Sequence, residues 1–369
     1  MHDPTSSQSR RNFIAGAISS FALSAAPKVL AAHSPTAFAD SRVSSAPLID
    51  RGFASVRKVG AGVYATISDP SKGAQTTCNG GFLVGRDAGF LIEGFNSPAG
   101  ASFQFDALRL ATRVPIRAAL DTHFHYDHSM GNHFYGTNNI PLWAHADTAT
   151  RITETYGVMQ SRSKEETLAP FEKRTTDAKT ELARAHAQSD LAAVNEILAS
   201  ARASKLGLPT RPLDRKELPL TVDLGGLTAL LEYHPGHSGT DIIVRVPDQN
   251  IVFTGDLLFQ GKYPVTFDPK ASISAWRDTL THFATFDKDT LFVPGHGQRC
   301  GQEAIATTLA VFDDIAEQTA KLFRAGTPLP EAKDLYVVPD RFMHYSIWSW
   351  GFVIGSAIEL LYAEMSNQS

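Results

Sequence analysis

His123-Phe124-His125-Tyr126-Asp127-His128 sets four metal-binding side chains within six residues, in the order H-x-H-x-D-H. Imidazole and carboxylate together suit a borderline divalent cation such as zinc, and iron or manganese accept the same ligand types. The preceding segment, Ile116 to Asp121, reads as a buried strand, which puts the cluster at a strand's carboxyl end. Where a strand runs out into a loop, residues two apart point the same way. His123 and His125 therefore reach one ion, and Asp127 and His128, past the strand end, reach a second.

Three later segments offer the rest of a ligand set. His234-Pro-Gly-His237-Ser-Gly-Thr240 follows the strand-like run Leu227 to Tyr233, Ile251 to Asp256 is a short apolar strand ending in Gly-Asp, and Phe292-Val-Pro-Gly295-His296-Gly297 is a strand ending in a glycine-flanked His. Glycines there let the backbone approach an ion closely. His123, His125 and His237 then form one site, Asp127, His128 and His296 the other, and Asp256 bridges them.

These segments, in this order, resemble the hallmark of the metallo-β-lactamase-fold superfamily, over about residues 56–297. The resemblance implies an α/β, four-layer αβ/βα sandwich holding a pair of ions, with Asp127 also orienting the attacking hydroxide. It selects His237 over His234, because the family ligand follows a Gly and precedes a Ser. Gly255-Asp256 is similar to the bridging aspartate of glyoxalase II-like and lactonase-like members. Metallo-β-lactamases proper usually lack that aspartate, so the chain departs from the antibiotic-hydrolysing pattern.

The order of elements fits the same sandwich. Val63 to Ile67, Gly81 to Val84 and Phe90 to Glu93 are strand-like, and Ala101 to Thr112 is helical, with Phe105 and Leu108 on one face. Residues 218–297 repeat the strand-rich pattern, with a helix over Ser274 to Thr285 whose apolar positions are Ile273, Trp276, Leu280 and Phe283. Two such halves with sheets face to face and helices outside give the sandwich. Residues 151–215, rich in Ala, Glu, Lys and Arg, read as an insertion of two or more amphipathic helices. Leu191, Val194, Ile197 and Leu198 form one apolar stripe, and Ala178, Leu182 and Ala185 a weaker one. The insertion is either a hairpin packed on the core, or a lid beside the metals, or a homodimer contact. Residues 303–369 read as a mainly helical, aromatic-rich segment packed on the same domain, which spans 40–302.

The first 39 residues read as an address. Ser9-Arg10-Arg11-Asn12-Phe13-Ile14 resembles a twin-arginine export motif, the apolar run Phe13 to Ala26 is too short to span a bilayer, and Ala37-Phe38-Ala39 fits a cleavage site. The expected location is the periplasm or outside the cell, with no stable membrane insertion. A formal net charge of −4 without a basic block argues against a nucleic-acid partner and for a small-molecule substrate. Cys78 and Cys300 read as free thiols rather than a disulfide. Tyr126 reads as packing or capping the cleft, and His133, His145, His186, His282 and His344 as structural.

The chemistry expected is hydrolysis of an ester, lactone, thioester or amide, β-lactams included, or of a phosphoester. Zinc lowers the pKa of bound water to roughly 7, which makes hydroxide available at neutral pH. An iron-dependent sulfur dioxygenase-like oxidoreductase on the same fold, and a non-catalytic metal-binding protein, are the two other readings.

Overall fold

The computed structural model describes residues 40–367. The expected export signal lies outside them. Two sheets carry the architecture. The first has eight strands in chain order: β1 (Ile49–Asp50), β2 (Ala54–Gly60), β3 (Val63–Ser68), β4 (Gly80–Val84), β5 (Gly89–Ile92), β6 (Ile116–Leu120), β7 (Leu142–His145) and β8 (Arg211–Leu213). Pairing is antiparallel through β5, then parallel from β5 to β8. The second sheet runs in the order β13-β12-β11-β10-β9, with β9 (Leu220–Asp223), β10 (Thr228–Tyr233), β11 (Ile242–Val246), β12 (Ile251–Phe259) and β13 (Leu291–His296).

The inner faces of both sheets meet in one core. Val63, Ala65, Leu83, Phe90 and Leu120 from the first pack with Ala229, Leu231, Val244, Phe253 and Val293 from the second. Alternation dictates this: Ala229 and Leu231 of β10 are buried, while Thr228 and Leu230, which alternate with them, are only half-buried. Central β12, by contrast, is buried at every residue, because helices cover its other face.

Helix α1 (Pro98–Ala111) covers the first sheet. It starts three residues earlier than its apolar spacing indicates, because Ser97 caps it by accepting from the Gly100 N–H and Pro98 sits in its first turn. After β6 come two short helices, α2 (Tyr126–Ser129) and α3 (His133–Thr137). The insertion supplies α4 (Thr148–Ile152), α5 (Val158–Ser161), α6 (Lys164–Asp177) and α7 (Glu181–Ala203). Its Val194, Ile197 and Leu198 are buried, but the weaker stripe is not: Ala178 ends α6, Leu182 is 57% exposed, and Ala185 is exposed. The face of α7 that turns inward at that level carries His186, Ala187 and Asp190 instead.

The outer face of the second sheet is covered by α8 (Ile273–Phe283), α9 (Gln302–Arg324), α10 (Leu329–Ala332) and α11 (Ser356–Ser366), with Trp276, Phe312, Ile354 and Ile358 in one cluster. The four layers of the expected sandwich are thus helix, sheet, sheet, helix. The last helix is entered only at Gly351, through a π-helical turn to Gly355. Ile347, within the segment expected to be mainly helical, lies outside any helix, because residues 333–350 form a largely irregular passage from α10 to the site. Among the described residues no helix is long and apolar enough to cross a membrane.

Two glycines bring the strand ends together. Gly255 has φ +52°, and a Cβ there would lie 2.4 Å from Thr122 Oγ1, beside the metal-ligand motif. A Cβ on Gly295 would lie 1.9 Å from Asp256 Oδ1. A larger residue at Gly255 would push β12 off the loop that follows β6, and one at Gly295 would push β13 off Asp256 of β12.

Candidate metal centre

The seven side chains expected to bind metal converge at one edge of the two sheets. β6 stops at Leu120, so His123 and His125 lie in the loop beyond it, and Asp127 and His128 lie on α2. That single turn of helix, more than strand alternation, gives the motif its two directions. β12, expected to end at Asp256, continues to Phe259 and leaves Asp256 mid-strand, beside a register shift against β13.

The ligand atoms form two groups, His123, His125, His237 with Asp256, and Asp127, His128 with His296, each with its atoms within 4.8 Å of one another. In the first, His123 Nε2 is 3.0 Å from His125 Nδ1, and His237 Nε2 is 2.8 Å from His125 Nδ1 and 3.2 Å from His123 Nε2. Asp256 reaches both groups. Its Oδ2 is 3.5 Å from His237 Nε2 and its Oδ1 is 3.1 Å from His128 Nε2 and 3.4 Å from His296 Nε2. Asp127 Oδ2 is 3.1 Å from His296 Nε2 and 3.7 Å from His128 Nε2.

Proton accounting shows that the first group fits a cation. His237 Nδ1 lies 2.9 Å from the Val265 carbonyl, which can only accept, so Nδ1 carries the proton and Nε2 is bare. Thr122 donates its hydroxyl to Glu93 Oε1 at 2.6 Å and therefore accepts from His123 Nδ1 at 3.1 Å, which leaves His123 Nε2 bare as well. Two lone pairs thus face each other at 3.2 Å, and a proton on His125 Nδ1 satisfies only one of them at a time. A buried acceptor left without a partner costs about 1–3 kcal/mol. A cation among the three nitrogens removes that cost. His128 Nε2 and Asp256 Oδ1 lie 3.1 Å apart without hydrogen-bond geometry between them.

The two groups differ in charge. Burial, then the neighbouring imidazoles, holds His123 and His125 well below the usual histidine range, and burial also lowers His237. Burial opposes charge on His128 too, but Cys78, Glu93, Asp256 and Asp127 outweigh it and raise its pKa well above the usual value. His296 is raised against burial by Asp256 and Asp127. The carboxylates of the second group demand positive charge, supplied by protons or by a metal ion.

Supporting residues absent from the sequence reading complete the centre. Glu93 Oε1 lies 3.1 Å from His128 Nδ1, where a carboxylate stands behind a metal-binding histidine. Asp268 Oδ2 lies 3.7 Å from His125 Nε2 and accepts from Arg151 Nη2 at 2.9 Å, while the Arg151 guanidinium lies 4.3 Å from the Phe124 ring centroid. A Glu closing the apolar strand β5 was a readable signal for Glu93. Asp268 and Arg151 are far apart in sequence and carry none.

The other polar candidates lie elsewhere. His234 contacts Glu232 at 3.3 Å and stacks on His282. His145 packs near Tyr233 and does not line the cavity at the metal ligands. Cys78 and Cys300 are buried free thiols. That cavity, about 310 Å³, is lined by His125, Asp127, Asp256 and His296 together with Tyr126, Phe259, Lys262, Tyr263, Phe267 and Trp348 among others.

The profile of the Metallo-beta-lactamase superfamily matches residues 74–296, which include every ligand described above. The chain belongs to this superfamily. Its members bind divalent metals and are mostly metal-dependent hydrolases. Among curated relatives, a metallo-beta-lactamase type 2 of Bacteroides fragilis is 34% identical over 105 residues, 28% of this chain and 42% of that protein. An uncharacterized protein of Mycobacterium tuberculosis is 32% identical over 82 residues, 21% of this chain and 37% of that protein. The chain thus spans less than half the length of either relative. Among solved structures, a metallo-beta-lactamase from Pontibacter korlensis superposes with a TM-score of 0.50 at 16% identity, over 70% of this chain and 98% of that one, a likeness of fold.

Metal binding should therefore depend on pH in two ways. The first group's histidines, with lowered pKa, are already neutral at pH 7, so a metal binds there without displacing protons. The second group's histidines, with raised pKa, must lose protons first, so affinity there rises with pH. Calorimetric titration of zinc into metal-free protein at pH 6 and pH 8 should show one event nearly unchanged and one strengthened at pH 8 with proton release. Two events with the same pH dependence would contradict the assignment.

Proposed function

We propose that the protein is a hydrolase with two zinc ions, acting on an ester, lactone, thioester or amide. The observation that carries this reading is Asp256, which points one carboxylate oxygen at each group of ligands. His123, His125 and His237 would hold one ion, and Asp127, His128 and His296 the other, with Asp256 shared. When bound, such a pair supplies Lewis acidity and lowers the pKa of water toward 7. Asp127 faces the cavity as a carboxylate, kept ionised against burial by His128 and His296, and is placed to accept a proton from the attacking water and orient it. Phe259, Phe267 and Trp348 limit water around the reacting carbonyl. Lys262, the one Lys or Arg lining the cavity, makes no hydrogen bond or ion pair with a described residue, which favours neutral or anionic substrates. The shared aspartate favours a glyoxalase II-like or lactonase-like reaction over β-lactam hydrolysis.

His125→Ala and Asp127→Ala should each lower kcat/KM by at least about a hundredfold in an ester and lactone screen of zinc-reconstituted protein, with circular dichroism unchanged. Chelation should abolish turnover and added zinc restore it. Turnover near the parent's in either variant, or iron as the metal found with oxygen uptake on a persulfide, would refute the reading.

We also propose export by the twin-arginine pathway. Replacing Arg10 and Arg11 together by Lys should leave the protein in the cytoplasmic fraction. Unchanged periplasmic recovery would exclude that route.

A further inference from the structure

Three segments remote in sequence meet at the mouth of the cavity. Tyr126 lies inside the metal-binding motif, Glu196 on insertion helix α7, and Trp348 in the C-terminal passage, beyond the superfamily match that ends at residue 296. All three line the cavity that holds the metal ligands. The Tyr126 hydroxyl donates to Glu196 Oε1 at 2.9 Å and the Trp348 indole N–H donates to Glu196 Oε2 at 3.1 Å. One carboxylate therefore holds both rings, with centroids 6.3 Å apart and planes 24° from parallel. The aromatic surface continues inward: Trp348 to Phe352 at 5.9 Å, Phe352 to Phe267 at 5.3 Å, and Phe267 stacked on His125 at 4.7 Å.

We propose that Trp348 and Tyr126, clamped by Glu196, form the specificity wall of the site and seat a flat, ring-bearing apolar group of the substrate beside the reacting carbonyl. This deepens the hydrolase reading and rests on it for the reaction. Both oxygens of Glu196 are engaged by donors, so its task is to position the rings. The wall presents ring faces whose polar atoms are turned to the carboxylate, and such faces favour stacked or edge-on aromatic partners over aliphatic ones of similar size. Because Glu196 and Trp348 belong to the insertion and the C-terminal passage, this chain would select substrates by parts the common fold does not supply.

Binding of 2-naphthol and of its saturated counterpart decahydro-2-naphthol tests the wall without any reaction. Both are neutral and are not hydrolysed, so they report on the wall in metal-free and zinc-loaded protein alike. Calorimetry should give 2-naphthol a Kd about tenfold below that of decahydro-2-naphthol, which has the same carbon skeleton, in the parent. Trp348→Ala should erase the difference, Trp348→Phe should retain most of it, and Glu196→Gln, an exposed change that leaves the core untouched, should reduce it several-fold. In the zinc-loaded enzyme, Trp348→Ala should raise KM for a naphthyl ester several-fold more than it raises KM for methyl acetate. Equal affinities in the parent, or a 2-naphthol preference that survives in both Trp348→Ala and Glu196→Gln, would overturn the proposal. If Trp348→Ala fails to fold, the Glu196→Gln result decides alone. A protein that binds 2-naphthol as described but hydrolyses no ester would leave the wall standing and remove the hydrolase reading.

Discussion

Two bare imidazole nitrogens 3.2 Å apart, each 2.8–3.0 Å from a third ring nitrogen that can offer its proton to only one of them, are an unfavourable arrangement unless something positive sits between them. The rest of the molecule makes that arrangement unavoidable. Val265 and Thr122 take up the outward nitrogens of His237 and His123, so neither ring can resolve the conflict by shifting its proton. Across Asp256 the second group holds the opposite problem, carboxylates in excess around His128 and His296. One aspartate joins an electron-rich trio to an acidic one, and a cation in each would resolve both.

The sandwich supplies the rigidity this needs. β6, β12 and β13 end at the same edge, anchored in a core where both sheets contribute large apolar side chains. Gly255 and Gly295 let those ends approach without side chains intervening. The helical layer outside β12 contributes Val265 and Asp268 through the loop that leads into α8, so part of the ligand support comes from chain that bears no ligand itself. The insertion and the C-terminal passage then close the cavity. Asp190 of α7 accepts from Ser349 Oγ at 2.6 Å and from the Gly351 N–H at 2.6 Å, and His186 stacks flat on Trp350 at 3.7 Å, tying the two segments together beside the site.

The parts of this plan legible in the sequence were those with short-range signatures. H-x-H-x-D-H, Gly236-His237, Gly255-Asp256 and Gly295-His296 each place a ligand-type residue near glycine or a strand end, and all converge. Alternation and helical spacing located β10, β12, α1 and α8 to within a few residues. What stayed hidden depends on contacts across long separations. Glu93, Asp268 and Arg151 support ligands from remote segments. The Ala178, Leu182 and Ala185 stripe failed because apolar spacing on a helix does not say which face finds a partner, and α7 turns His186 and Asp190 inward. Glu196 and Trp348 are polar or amphipathic residues 152 positions apart, and nothing local links them.

The most direct test is a crystal structure of the zinc-loaded protein with anomalous scattering at the zinc edge. The account predicts two peaks about 3.5–4 Å apart, one on His123, His125 and His237, the other on Asp127, His128 and His296, with an Asp256 oxygen on each. A single peak, or two peaks with Asp256 bound to neither, would contradict it.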